Sequence, residues 1–272
     1  MYSLICSVLI SALLLVPAGN ADAADAQQSD GVSVGKPSIL RNLVPAKQLE
    51  QQASLQYGGM MQQAESHHAL APDNHPQVIR LRSIAAKIIS YATKFNPRAS
   101  QWQWEVNLVG SKQLNAFCMP GGKIAVYSGL LDTLKLTDDE VAIVMAHEIA
   151  HALREHARAR MAKSELTNLG VSLLGQNVGK GRYAGAFQAG GSLLTLKFSS
   201  SDETDADIVG LELSSRAGYD PSAGVTLWRK MTASNNGAPP QWLSTHPSGK
   251  NREKEIQKHL PEVMPLYENA KS

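Results

Sequence analysis

The chain has 272 residues, of which 43% are hydrophobic and 18% charged, too apolar for a disordered polypeptide and too polar for a multi-span membrane protein. Lysine and arginine number 26 against 24 acidic residues, a balance that argues against a nucleic-acid partner. Cys6 and Cys118 are the two cysteines, which excludes a disulfide-dense scaffold and a cysteine-based zinc finger.

Residues 4–16 form an uncharged apolar run, too short to span a bilayer comfortably, and Ala21-Asp22-Ala23 has the small-residue pattern of a cleavage site. The run reads as a signal peptide over residues 1–23, although no basic residue precedes it; an uncleaved anchor is the competing reading. Cys6 lacks the position and neighbours of a lipoprotein cysteine, so no lipid anchor is expected. Residues 24–75 read as a leader, disordered to about Leu40, and a Gln-rich helical segment broken at Gly58-Gly59.

Pro76 opens a strong helical pattern, with Val78, Leu81, Ile84, Ala85, Ile88, Ala92 and Phe95 at three- and four-residue spacing. Trp102, Trp104, Val106 and Leu108 alternate with polar residues, the period of a half-buried strand, and the tryptophans read as packing residues. Two further strands flank the turn Pro120-Gly121-Gly122. Thr137-Asp138-Asp139-Glu140 is a capping box opening a helix expected to run to about Ala162. Residues 164–196 are Gly-rich and read as packed helices with a mobile linker, or a lid. Asp220-Pro221 starts another helix, and a loop over residues 235–250 precedes a last charged helix over 251–260. Helices, a small sheet, then helices make the class α+β.

The chemistry lies on the capped helix. Val141 to Met145 is apolar on every side, so the segment is buried, and His147-Glu148-Ile149-Ala150-His151 follows at once. Two imidazoles and a carboxylate are costly there unless something satisfies them, and a metal does so. Positions i and i+4 share a helix face, so His147 and His151 can reach one ion, while Glu148 is placed to take a proton from water rather than to ligate. A catalytic zinc site needs a third protein ligand and an open position. Among the downstream carboxylates, Glu203 and Asp207 stand out at i, i+4; one can ligate and the other can accept the spare N–H of a ligating histidine. His156 and His259 lie among charged residues and read as solvated, and the spacing of His67, His68 and His75 supports no second metal site.

Several ordered motifs carry a resemblance. They are 115-NAFCMPGG-122, Ser128-Gly129-Leu130-Leu131, His147 to His151, Glu203-Thr204-Asp205-Ala206-Asp207, Gly210-Leu211, 216-RAGYDP-221, and Ser244-Thr245-His246-Pro247 with Arg252. With these the chain resembles the HtpX- and LoiP-type zinc metallopeptidases, a gluzincin group related to the CAAX prenyl proteases, over most of residues 76–260. The resemblance implies a mostly helical zincin-like domain over 76–260, with a small sheet whose edge strand borders the active-site cleft and a tail over 261–272. It implies one zinc per chain held by His147, His151 and Glu203, with Glu148 catalytic and Asp207 behind the ligands. Asn115 and Ala116 would bind extended substrate by strand addition. His246 would stabilise the oxyanion or cap the metal at rest, and its loss is expected to lower activity. Ser199-Ser200-Ser201 stands where the family usually has a Ser-Arg pair, which puts a local ion pair in doubt. No helical-repeat extension is expected.

The resulting expectation is an exported, periplasmic zinc endopeptidase acting on unfolded or envelope polypeptides, with no nucleic-acid partner and no stable membrane span after signal cleavage. A metal-bound chaperone or assembly factor for envelope proteins, with suppressed proteolysis, is the alternative; an intact Glu148 favours the enzyme.

Overall fold

The computed structural model describes residues 31–174, 193–234, 241–247 and 252–272. The expected signal peptide, most of the Gly-rich stretch and the Asn235–Pro240 part of the loop lie outside the described residues.

Helix α1 (Ala46–Ser66) runs unbroken through Gly58-Gly59, contrary to the expected interruption. A mid-helix glycine costs about 1 kcal/mol, and both glycines face open space, while Leu49, Ala53, Tyr57, Met61 and Ala64 bury one continuous stripe. Helix α2 (Pro76–Ile89) starts where Pro76 predicts, and the His75 ring caps it by accepting from the Gln77 amide at 3.2 Å. Strands β1 (Glu105–Val109), β2 (Ala116–Met119) and β3 (Lys123–Tyr127) form one sheet in the order β1-β3-β2. β2 and β3 are the predicted antiparallel hairpin, with Gly121 and Gly122 at φ of 87° and 83°, values that favour glycine. β1 pairs parallel to β3 and starts later than the alternation suggests, because Trp102 and Trp104 leave the ladder and pack against each other, ring centroids 5.3 Å apart. β2 is thus an edge strand.

Helix α3 (Ser128–Leu134) leads to the capped helix α4 (Asp138–Leu153), in which Thr137 and Glu140 make both bonds of the capping box. Every residue from Glu140 to Leu153 is buried. α4 ends nine residues before the expected Ala162: the chain turns at Arg154-Glu155, with Glu155 at φ 55°, and α5 (His156–Leu174) starts in a new direction. Helix α6 (Ser200–Arg216) makes the largest contact with α4. A Cβ at Gly210 would meet the His147 backbone nitrogen at 3.0 Å, so this glycine lets the two helix backbones approach at the first histidine. Helices α7 (Ala223–Ala233), α8 (Gln241–Thr245) and α9 (Arg252–Lys271) complete the fold; α9 packs on α6 and continues well past the expected end near residue 260.

The α+β class and the small sheet beside a mostly helical body are as the sequence predicts. The end of the leader is not loose, however. The Val32 amide donates to Glu212 at 2.7 Å, Arg154 donates to the Gly35 carbonyl, and residues 39–43 form a 3-10 turn. Glu212 is fully buried and paired with Lys94 and Arg216, so the segment is held at a charged anchor. No helix among the described residues is long and apolar enough to cross a membrane.

Candidate metal centre

α4 places His147 and His151 on one face, with their Nε2 atoms 3.1 Å apart. α6 begins at Ser199, which caps it reciprocally with Asp202 and so sets Glu203 opposite the two rings. The serine run thus supplies a helix start where an ion pair was in doubt, and Arg160 reaches Asp202 from α5 at 3.5 Å. Glu203 Oε1 lies 3.5 Å from His151 Nε2, and Glu203 Oε2 lies 3.6 Å from His147 Nε2. The end of α8 contributes His246, whose Nδ1 is 3.1 Å from Glu203 Oε1 and 3.3 Å from His147 Nε2. All four residues are buried, and they are the one group among the described residues arranged to hold a metal ion.

These spacings test the fit. Four donors at about 2.0–2.1 Å from a tetrahedral ion stand about 3.3–3.4 Å from one another. His147 Nε2 lies 3.1 Å from His151 Nε2 and 3.3 Å from His246 Nδ1, close to that value, and one ligand atom from each of the four residues lies within 4.8 Å of the others. A buried cluster of imidazole nitrogens and a carboxylate oxygen suits zinc.

A shell of charge holds the donors. Asp207 lies 3.0 Å from His147 Nδ1, so His147 turns Nε2 toward the other donors. Arg252 donates to Glu203 at 2.6 Å and to Asp207 at 2.7 Å, and its guanidinium lies 4.0 Å above the Trp228 ring. Burial works against both carboxylates, but Arg252 and His147 outweigh it at Asp207, and His147 and His246 outweigh it at Glu203, so both pKa values fall below the usual range. Burial also disfavours a charged His147, yet Asp207 and Glu203 carry its pKa up to about 9. At His151, burial first and then the neighbouring His147, His156, His246 and Arg252 push the pKa well down.

Glu148 sits beside the cluster. Its Oε1 accepts from the Trp242 indole N–H at 2.5 Å and lies 3.5 Å from His246 Nε2. Trp242 stacks on His246 with centroids 4.9 Å apart, and its backbone amide donates to the Leu114 carbonyl just before β2. A cleft runs between edge strand β2 and the donors, lined by Asn115, Ala116 and Cys118 on one side and Glu148, His151 and His246 on the other.

The structure therefore brings together Glu148, His147, His151, Glu203, Asp207 and His246, with Asn115 and Ala116 across the cleft. Sequence reasoning gave Trp242 and Arg252 no role; Arg252 was visible only as part of a motif. His156 corrects an expectation. It is buried, not solvated, and its Nδ1 lies 2.9 Å from His151 Nδ1. His259 is half-buried and pairs with Glu262.

Residues 79–260 match Peptidase family M48. The chain is 34% identical over 74% of its length to the mitochondrial metalloendopeptidase OMA1 of Schizosaccharomyces pombe, covering 58% of that protein. To OMA1 of Saccharomyces cerevisiae it is 30% identical over 76% of its length, covering 62%. The chain thus spans less than two thirds of these curated relatives. Metalloprotease LoiP of Escherichia coli is 28% identical over 73% of this chain and 77% of LoiP. The motifs therefore do not single out the HtpX- and LoiP-type branch. The expected periplasmic location is overturned as well, because relatives more similar to this chain than LoiP are named mitochondrial. Family and donor set together fit a zinc site.

Proposed function

Because this chain belongs to peptidase family M48, we propose that it is a zinc-dependent endopeptidase that cleaves extended polypeptide segments. The observation that supports this most is the position of Glu148, buried beside a four-donor cluster and facing an open strand edge across the cleft. His147, His151 and Glu203 would hold the zinc, with Asp207 orienting His147. When bound, the zinc supplies Lewis acidity, polarising a carbonyl and making a water a better nucleophile near neutral pH. Glu148 takes the proton of the attacking water on its carboxylate and returns it to the leaving amine. The Trp242 N–H holds Glu148 Oε1 and so fixes the base. β2 pairs with β3 on one side only, leaving its outer edge to add a substrate strand. The Ala116 amide is occupied by the Asn115 side chain at 3.0 Å, a bond that yields when substrate pairs there. Zinc analysis of purified protein, with digestion of an unfolded protein before and after chelation, tests the reading; a zinc-free protein or chelator-insensitive digestion would sink it.

Ligand choice is separable. Glu203→Gln is expected to weaken zinc binding more than Asp207→Asn, which should itself cost about 10–100-fold through loss of an orienting acceptor. Chelator competition on the two variants decides it, and the reverse order would exchange their roles.

His246 reads as a cap rather than an oxyanion donor. Its Nδ1 lies beside His147 Nε2 and Glu203 Oε1, where it would serve as a fourth donor in place of the water that a catalytic zinc site needs. His246→Ala is therefore expected to raise basal proteolysis with zinc retained, opposite to the expectation from sequence. A lower kcat at unchanged KM would restore the oxyanion role.

A further inference from the structure

The two metal-facing histidines of α4 are backed in different ways. His147 rests directly on Asp207, and Arg252 holds that carboxylate. His151 has no carboxylate on its Nδ1. Instead, its Nδ1 lies 2.9 Å from His156 Nδ1. The other nitrogen of His156, Nε2, lies 3.0 Å from Asp205 Oδ2. Arg154 grips Asp205 with Nε at 2.5 Å and Nη2 at 3.0 Å, and the same guanidinium donates to the Gly35 carbonyl.

Only one proton arrangement satisfies every atom of this run when His151 Nε2 offers its lone pair to a metal. His151 then carries its proton on Nδ1 and donates it to His156 Nδ1. His156 must carry its own proton on Nε2 and donate it to Asp205. Asp205 accepts from both His156 and Arg154, and no buried donor faces another donor. The break between α4 and α5 makes this possible. On a continuous helix His156 would sit five residues after His151, turned about 140° from it. The turn at Arg154 and Glu155, with Glu155 at φ 55°, swings the ring back onto His151, their centroids 4.9 Å apart.

We propose that His156, Asp205 and Arg154 are positioning residues that fix the tautomer and aim of His151, the second metal-facing histidine. Asp205 and Asp207, two positions apart on α6, then serve different ligands: Asp207 acts directly on His147, and Asp205 acts on His151 through an imidazole. The Gly35 carbonyl ties the far end of the run to the N-terminal segment, so the pinned leader stiffens the arginine that holds Asp205. The inference rests on His151 being a zinc ligand, and the experiment below separates the two.

Zinc affinity by chelator competition, the visible spectrum of the cobalt-substituted protein and the melting temperature of the metal-free protein would be measured for His151→Ala, His156→Phe, His156→Asn and Asp205→Ala. His156→Phe should weaken zinc by about 10–100-fold and alter the cobalt spectrum. His156→Asn, whose Oδ1 can accept from His151 Nδ1, should recover part of the affinity. Asp205→Ala should also weaken zinc. If His151→Ala keeps wild-type affinity, the ligand assignment itself fails. If His151→Ala loses zinc while His156→Phe binds it as wild type with an unchanged cobalt spectrum, the positioning role is overturned and the metal site stands. Nitrogen-15 NMR of metal-free wild-type protein covers the case of a variant that does not fold. A proton on His151 Nδ1 is expected, and a proton on Nε2 would overturn the proposal.

Discussion

Glu148→Gln is expected to lower kcat for peptide hydrolysis by about 10²–10⁴-fold, the range a positioned general base contributes, while zinc content stays at one per chain. Glutamine keeps the size of the side chain and an oxygen for the Trp242 N–H, which now meets Glu148 Oε1 at 2.5 Å. It cannot take a proton from water. The donor set of His147, His151, Glu203 and His246 is left whole, so loss of activity with zinc retained isolates the proton step. Turnover of an unfolded protein, with zinc quantified on the same sample, is the measurement. The chaperone reading makes the opposite prediction, since binding and release need no base; function surviving Glu148→Gln but not His147→Ala would favour it.

Arg252→Met is expected to produce the largest loss of stability. Arg252 is 6% exposed at its side chain and holds Glu203 at 2% and Asp207 at 9%. Removing one partner of a buried ion pair typically costs about 3–5 kcal/mol, because the remaining charges stay in a poor solvent. For a domain of this size that lowers Tm by about 6–20 °C. The effect should be greatest in metal-free protein, where only the neighbouring imidazoles of His147 and His246 are left to compensate Glu203. Arg229→Met is the control: its pair with Glu253 is 63% and 39% exposed, so a change below about 1 kcal/mol is expected. Thermal unfolding of both variants with zinc chelated decides it, and an Arg252→Met protein as stable as Arg229→Met would remove the buried charge cluster from the stability argument.

Much of the centre is written locally. Thr137 and Glu140 close a capping box within four residues, His147 and His151 share a face because of helix period alone, and Glu203 and Asp207 repeat that spacing on α6. The hairpin turn at Gly121-Gly122 is equally local, because two positive φ values favour glycine. Each depends on residues a few positions apart, so composition and spacing suffice to read them. The rest depends on partners far apart along the chain. Trp242 reaches Glu148 across 94 residues, His246 reaches His147 across 99, and Arg252 reaches Asp207 across 45. No periodicity announces such meetings; they exist because α8 and α9 fold back over α4 and α6. The turn at Glu155 belongs to the same group. It carries neither glycine nor proline, and tertiary packing, rather than local propensity, ends α4 there and turns His156 from the solvent toward His151.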